Sequence, residues 1–153
     1  PAKITASATL SIIFLLPVCA TDMSASYHTA WWTHFTYMFF HANVWHLASN
    51  IYSLCLFSPS PAKLFAACII AAIASVFSSQ PVLGFSGVVF ALWGISMLKA
   101  GKKACILFTV SAVVSLLVPA FSASVHIGSF FLGWCYAFVE KLSYDYRRVK
   151  TGK

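Results

Sequence analysis

Ser86 stands between two glycines at the head of GFSGVVFALWG, residues 84–94, a hydroxyl in an otherwise apolar stretch. A serine hydroxyl becomes a nucleophile when a neighbouring base takes its proton, and imidazole does so near neutral pH. Three histidines also lie in apolar segments: His41 and His46 in HANVWHLASN, which ends on Asn50, and His126 in SVHIGSFFLG. In hydrocarbon such polar groups are costly unless they have partners or a task, so they are expected to face the interior of a bundle. The five cysteines, Cys19, Cys55, Cys68, Cys105 and Cys135, form no C-x-x-C pair and are odd in number. They read as small packing residues, and neither a metal nor another cofactor is expected.

The elements that must position these residues follow from composition. The chain is 60% hydrophobic and 8% charged, against about 25% charged in ordinary soluble domains. Residues 64–98 and 104–139 carry no charge at all. Each run is too long for one crossing of a bilayer, which takes about 20 residues. Each is also interrupted by turn chemistry, SSQPVLG in the first and VPAFSAS in the second, so each reads as a helical hairpin. Two further apolar segments flank the polar and aromatic loop TDMSASYHTAWW. The expectation is an all-α membrane protein with one domain over 1–153. Its six spans lie at about 4–20, 35–57, 64–78, 86–99, 104–119 and 123–141.

Basic residues orient such a bundle, because loops rich in Lys and Arg stay on the cytoplasmic side. Six spans with the N-terminus inside place Lys3, Lys63, Lys99, Lys102, Lys103, Lys141, Arg147, Arg148, Lys150 and Lys153 on one face. These are all of the basic residues, and the opposite face receives only Asp22. Both termini are thus expected to be cytoplasmic, and the net charge of +7 is explained by orientation without nucleic acid. The first segment also resembles a secretory signal, but its removal would leave five spans and break the agreement with charge. No acid lies inside a span, Glu140 falling at the boundary of the last, which argues against an ion or proton path.

A serine in a membrane helix ordinarily bonds its own backbone, so position decides what Ser86 is for. From Ser86 to Leu98 a helix rises about 20 Å, short of a core of about 30 Å. The helix must therefore begin below the outer surface, and SSQPVLGF must dip to meet it. That implies a submerged, outward-opening cavity. At about 100° per residue His46 and Asn50 share a face, whereas His41 points away. His126, Ser129 and Gly133 share another. Gly87, Ala91 and Gly94 form a small-residue strip beside Ser86, and two such strips let helices approach closely, bringing Ser86 to His126.

These motifs resemble those of the rhomboid family of intramembrane serine proteases: HANVWHLASN matches HxxxxHxxxN, GFSG matches GxSG, and His126 is followed by small residues. The resemblance runs from about Trp32 to Glu140, in a minimal six-helix form. It implies that Ser86 is the nucleophile and His126 its base. It further implies that His46 and Asn50, with the backbone at Ser86, Gly84 and Phe85, form the oxyanion and substrate-binding region. His41, Phe90, Gly87, Ser129 and Gly133 would support them, Phe90 by stacking on the base. Asp22, Glu140 and Asp145 all lie at or beyond the membrane boundary, so the chemistry would be a Ser–His dyad. Two positions depart from the family pattern: Thr33 follows Trp32 where Arg is common, and Ser129 stands where Gly is common. The resemblance implies cleavage of transmembrane protein substrates within a lipid bilayer, at a location such as the bacterial inner membrane. A non-catalytic relative that binds membrane clients is the alternative, although such relatives typically lack the serine or histidine.

Overall fold

A computed structural model of the chain describes residues 2–14, 20–99, 102–117 and 122–151. The end of the first expected span with Cys19, the VPAF portion of the second turn and Lys153 lie outside them. The described residues form seven α-helices: α1 (Ala2–Phe14), α2 (Thr33–Thr36), α3 (Val44–Cys55), α4 (Pro61–Val76), α5 (Ser86–Ser96), α6 (Lys102–Leu117) and α7 (Ala123–Thr151). Short 3₁₀ turns occupy Ala20–Met23, Tyr37–Phe39 and Met97–Lys99.

Local chemistry sets the helix starts. Asn43 is extended and its side chain accepts the His46 N–H, which satisfies one of the free donors at the head of α3. Ser60 caps α4 in the same way from the Lys63 N–H, and Pro61 takes the first helical position, where its missing N–H costs nothing. The segment expected as one span over 35–57 is therefore divided. α2 and a 3₁₀ turn come first, residues 40–43 leave the helical path, and α3 starts only at Val44. In the other direction, α7 continues ten residues beyond the expected end at 141.

At the centre lies α5, with Gly87, Val88, Val89, Phe90, Ala91, Leu92, Gly94 and Ile95 all buried. A helix apolar on every side belongs inside a bundle, and α5 packs on α7 along its length and on α4. The α5–α7 contact is close because two glycines permit it. A Cβ on Gly94 would strike the Phe130 carbonyl, with the Trp134 nitrogen 2.7 Å away, and one on Gly133 would strike the Ala91 carbonyl. Around this pair, α1 packs on α3 and α6 on α7. Lys63 at the head of α4 pairs with Glu140 of α7 at 3.2 Å, which places the start of one helix beside the middle turns of the other.

Among the described residues no helix is long and apolar enough to cross a membrane by itself. α4 and α6 have 16 residues each, about 24 Å of rise. α7 is longer, with 29 residues, but its last turns are basic.

Candidate active site

Ser86 is the first residue of α5, and the chain reaches it through a turn that only glycine fits. Gly84 has φ of +99°, in the region L side chains avoid, and is the only described residue with a positive φ. A Cβ there would lie 2.5 Å from His46 Cε1, 2.6 Å from Nε2 and 3.3 Å from Asn50 Nδ2. The missing side chain thus leaves the backbone pressed against the imidazole and the amide of α3. The Gly84 N–H donates to the Tyr37 carbonyl at 3.1 Å. The Phe85 N–H donates to His41 Nε2 at 3.3 Å.

From α7, His126 reaches across the tight interface, and its Nε2 lies 2.8 Å from Ser86 Oγ. Phe90, one turn along α5 from the serine, lies flat against the imidazole with ring centroids 4.4 Å apart and planes 1° from parallel. The ring of Phe90 is itself flanked edge-on by Trp93 and Phe108. His126, Phe90 and Asn50 are buried, whereas Ser86 keeps partial exposure. Proton transfer between Oγ and Nε2 needs heavy atoms about 2.6–3.2 Å apart, and this pair meets that requirement.

The Asn50 amide nitrogen is buried and has no hydrogen-bond partner among the described residues. A donor so placed beside the backbone that enters Ser86 can serve an oxygen that gains negative charge nearby. The first N–H groups of α5 have no acceptor within their helix, and the helix dipole adds positive potential at the same end. His41 differs from the helical-face expectation. It precedes α3, so helical phase does not govern it, and its ring meets that of His46 edge to face at 5.1 Å.

The supporting small residues lie in the packing. A Cβ on Gly87 would sit 2.9 Å from the Tyr37 hydroxyl, 3.1 Å from Val125 Cγ1 and 3.3 Å from Ala71 Cβ. Ser129 is wholly buried one turn beyond His126, and its hydroxyl has no partner among the described residues. Cys68, Cys105 and Cys135 form no disulfide, and the described residues contain no cluster able to hold a metal.

Sequence reasoning missed the clamps that hold this site from outside. Ala25 and Val82 form an isolated antiparallel bridge, with N–H to carbonyl distances of 3.0 and 2.9 Å, tying the first loop to the segment that enters α5. Tyr37, wholly buried, accepts from Gly84 through its carbonyl and donates its hydroxyl to the Ala71 carbonyl at 3.1 Å. His34 Nδ1 bonds Ser75 Oγ at 2.8 Å, and Ser75 donates onward to the Ala72 carbonyl. The serine proton is committed to that carbonyl, so His34 carries its own proton on Nδ1. Thr33, in the position where Arg is common, is buried and bonds Thr29 Oγ1 and the Ala30 carbonyl, both at 2.7 Å. Hydroxyls thus hold the loop from within.

Comparison with curated proteins finds no match. The family model described as the rhomboid domain matches residues 28–142, which covers α2 to most of α7 and every residue of the site. The chain belongs to the rhomboid family.

Proposed function

We propose that the chain is an intramembrane serine endopeptidase that hydrolyses peptide bonds in or near transmembrane segments of other proteins. The observation that carries this reading is the 2.8 Å contact between Ser86 Oγ and His126 Nε2. A hydroxyl on a lipid-exposed helix would satisfy itself locally, whereas this one is offered to a base from a different helix. In the reaction His126 takes the Ser86 proton as Oγ attacks the scissile carbonyl. The carbonyl oxygen becomes negative and accepts from the Asn50 amide, with His46 and the N-terminal backbone of α5 beside it. His126 then gives its proton to the leaving amine, and a water activated by the same imidazole releases the acyl group from Ser86.

No carboxylate completes a triad. Among the described acids, Glu140 is engaged by Lys63, and Asp22 and Asp145 belong to the chain outside the spans. A stacked ring at Phe90 takes over orientation of the base, and the dyad works without an acid.

The six-span arrangement with both termini cytoplasmic supplies the setting, and the family typically acts on membrane proteins. The Lys63–Glu140 pair accords with this topology, because both residues fall on its cytoplasmic side. Ser86 then lies below the outer surface at the head of a short helix, in a cavity that admits water from outside.

The test is reconstitution in liposomes with single-span substrates. Cleavage is expected from the unaltered chain and none from Ser86→Ala or His126→Ala. A fluorophosphonate should label Ser86 only when His126 is present. Cleavage that persists in either variant overturns the dyad. A chain that binds such substrates and never cleaves them is a client-binding protein instead.

A further inference from the structure

The base of the dyad sits in the first turn of its helix. α7 begins at Ala123, and the His126 N–H donates at 3.0 Å to the carbonyl of Ser122, the residue before the helix. First turns are where helices fray, whereas proton transfer from Ser86 tolerates only a narrow range of separation. The hold on Ser122 is therefore a hold on the base.

A chain of hydroxyls supplies that hold. Ser122 Oγ lies 3.3 Å from Ser78 Oγ and 3.3 Å from Ser124 Oγ. Ser78 is buried and donates its one hydroxyl proton to the Gln80 carbonyl at 2.8 Å. Ser122 must then donate to Ser78, and Ser124 to Ser122, so the chain runs one way from the surface to a buried carbonyl. Hydroxyls aligned in this manner polarise one another. We propose that the Ser122–Ser78 bond positions the catalytic base by fixing the head of α7, and with it His126, to the same strap, residues 78–84, that leads into Ser86. The proposal rests on the protease reading above.

The strap is a firm reference. At one end the Ser78 N–H donates to the Ser75 carbonyl at 3.0 Å, and the Ser78 carbonyl accepts the Tyr27 N–H of the first loop at 2.9 Å. Four residues on, Val82 exchanges two bonds with Ala25, and the Gly84 N–H is held by the Tyr37 carbonyl. The nucleophile thus follows one end of the strap and the base is tied to the other. Val125, buried beside Gly87, sets how closely the first turn of α7 approaches α5. Apolar packing is non-directional, however, and does not fix rotation about the helix axis. Ser122 precedes His126 by nearly one turn, about 6 Å along the axis, so a rotation of the helix head carries both. The hydroxyl bond opposes that rotation.

Ser122→Ala tests this, because it removes the hydroxyl and keeps the carbonyl that accepts the His126 N–H, whereas Ser122→Thr keeps both. At a temperature where thermal unfolding shows the variants folded, Ser122→Ala should lower kcat and the rate of fluorophosphonate labelling of Ser86 by roughly two- to tenfold, the equivalent of one hydrogen bond. KM should change little, and Ser122→Thr should restore both rates. Hydrogen exchange should quicken at the His126 amide in Ser122→Ala and stay unchanged from Phe130 onward. Ser78→Ala should reproduce the loss, and the double variant should lose little more than either single one. Unaltered kcat and labelling in Ser122→Ala overturn the proposal, as does a loss that threonine does not restore or that only follows the unfolded fraction. Ser122 is only half-buried, so its two variants decide the matter even where Ser78→Ala does not fold. An unaltered chain that neither cleaves nor takes the label overturns the protease reading instead. Exchange at the His126 amide still reads the tether in that case, quickening in Ser122→Ala where the tether exists and unchanged where it does not.

Discussion

The Phe90 ring lies parallel to the His126 imidazole within 1°, at a centroid separation of 4.4 Å. An imidazole on a single helix can rotate about two bonds, and only some of those settings aim Nε2 at Ser86. The flat face of Phe90 removes the rest, and the edge-on packing of Trp93 and Phe108 fixes Phe90 in turn. Stacked aromatic pairs contribute about 0.5–1.5 kcal/mol beyond area burial. Replacement of Phe90 by Tyr should retain turnover. Phe90→Leu should lower kcat by roughly two- to tenfold, with less change in KM, because the loss is one of orientation. Steady-state kinetics on one substrate separates these outcomes, and an unchanged kcat in Phe90→Leu would remove the ring from the mechanism.

Acidification should act through His126, since the base must be neutral to accept the serine proton. Below its pKa the rate should fall about tenfold per pH unit, and it should level off above it. The profile of kcat/KM in reconstituted protein measures this directly. A rate that shows no fall with acid down to the pH at which the protein unfolds is incompatible with His126 as the base.

How much of this was legible depended on whether one segment or several carried the signal. The approach of α5 to α7 could be read because Gly87, Ala91 and Gly94 on one helix and Ser129 and Gly133 on the other each form a strip at helical spacing. The break before α3 could not, since residues 40–43, Phe-His-Ala-Asn, hold no Gly or Pro to mark a turn and the helix start depends on one side chain, Asn43, accepting the His46 N–H. His41 was misplaced in phase for the same reason. The Ala25–Val82 bridge and the Tyr37 carbonyl bond to Gly84 join backbone groups far apart in the chain. Backbone pairing between isolated residues leaves no pattern in side-chain type.

Thr33 makes the first loop a test of such hidden contacts. Its hydroxyl bonds Thr29 Oγ1 and the Ala30 carbonyl from a buried position. Thr33→Val keeps the shape and removes the hydroxyl, so about 1–3 kcal/mol of stability should be lost as buried partners go unsatisfied. Thermal unfolding in detergent should show a lower Tm, while the Ser86–His126 contact, held by α5 and α7, should leave fluorophosphonate labelling at low temperature unchanged.

Gly84→Ala combines two separable penalties. The φ of +99° strains any L side chain, at a cost of about 1–3 kcal/mol. The added Cβ would also meet the His46 ring at 2.5 and 2.6 Å, so the ring or the turn must move. Strain alone would lower Tm and spare kcat in the fraction that remains folded. Under the proposed mechanism, displacement of His46 and the Asn50 amide from the oxyanion position should lower kcat by about 10²–10³-fold, the effect of losing an oxyanion donor. Asn50→Ala discriminates between the two, because it removes the donor without straining the backbone. If Asn50→Ala and Gly84→Ala lose kcat to a similar degree, and the double variant loses little more than either, the two residues act on one oxyanion position. Additive losses would instead assign Gly84 to the placement of Ser86 itself.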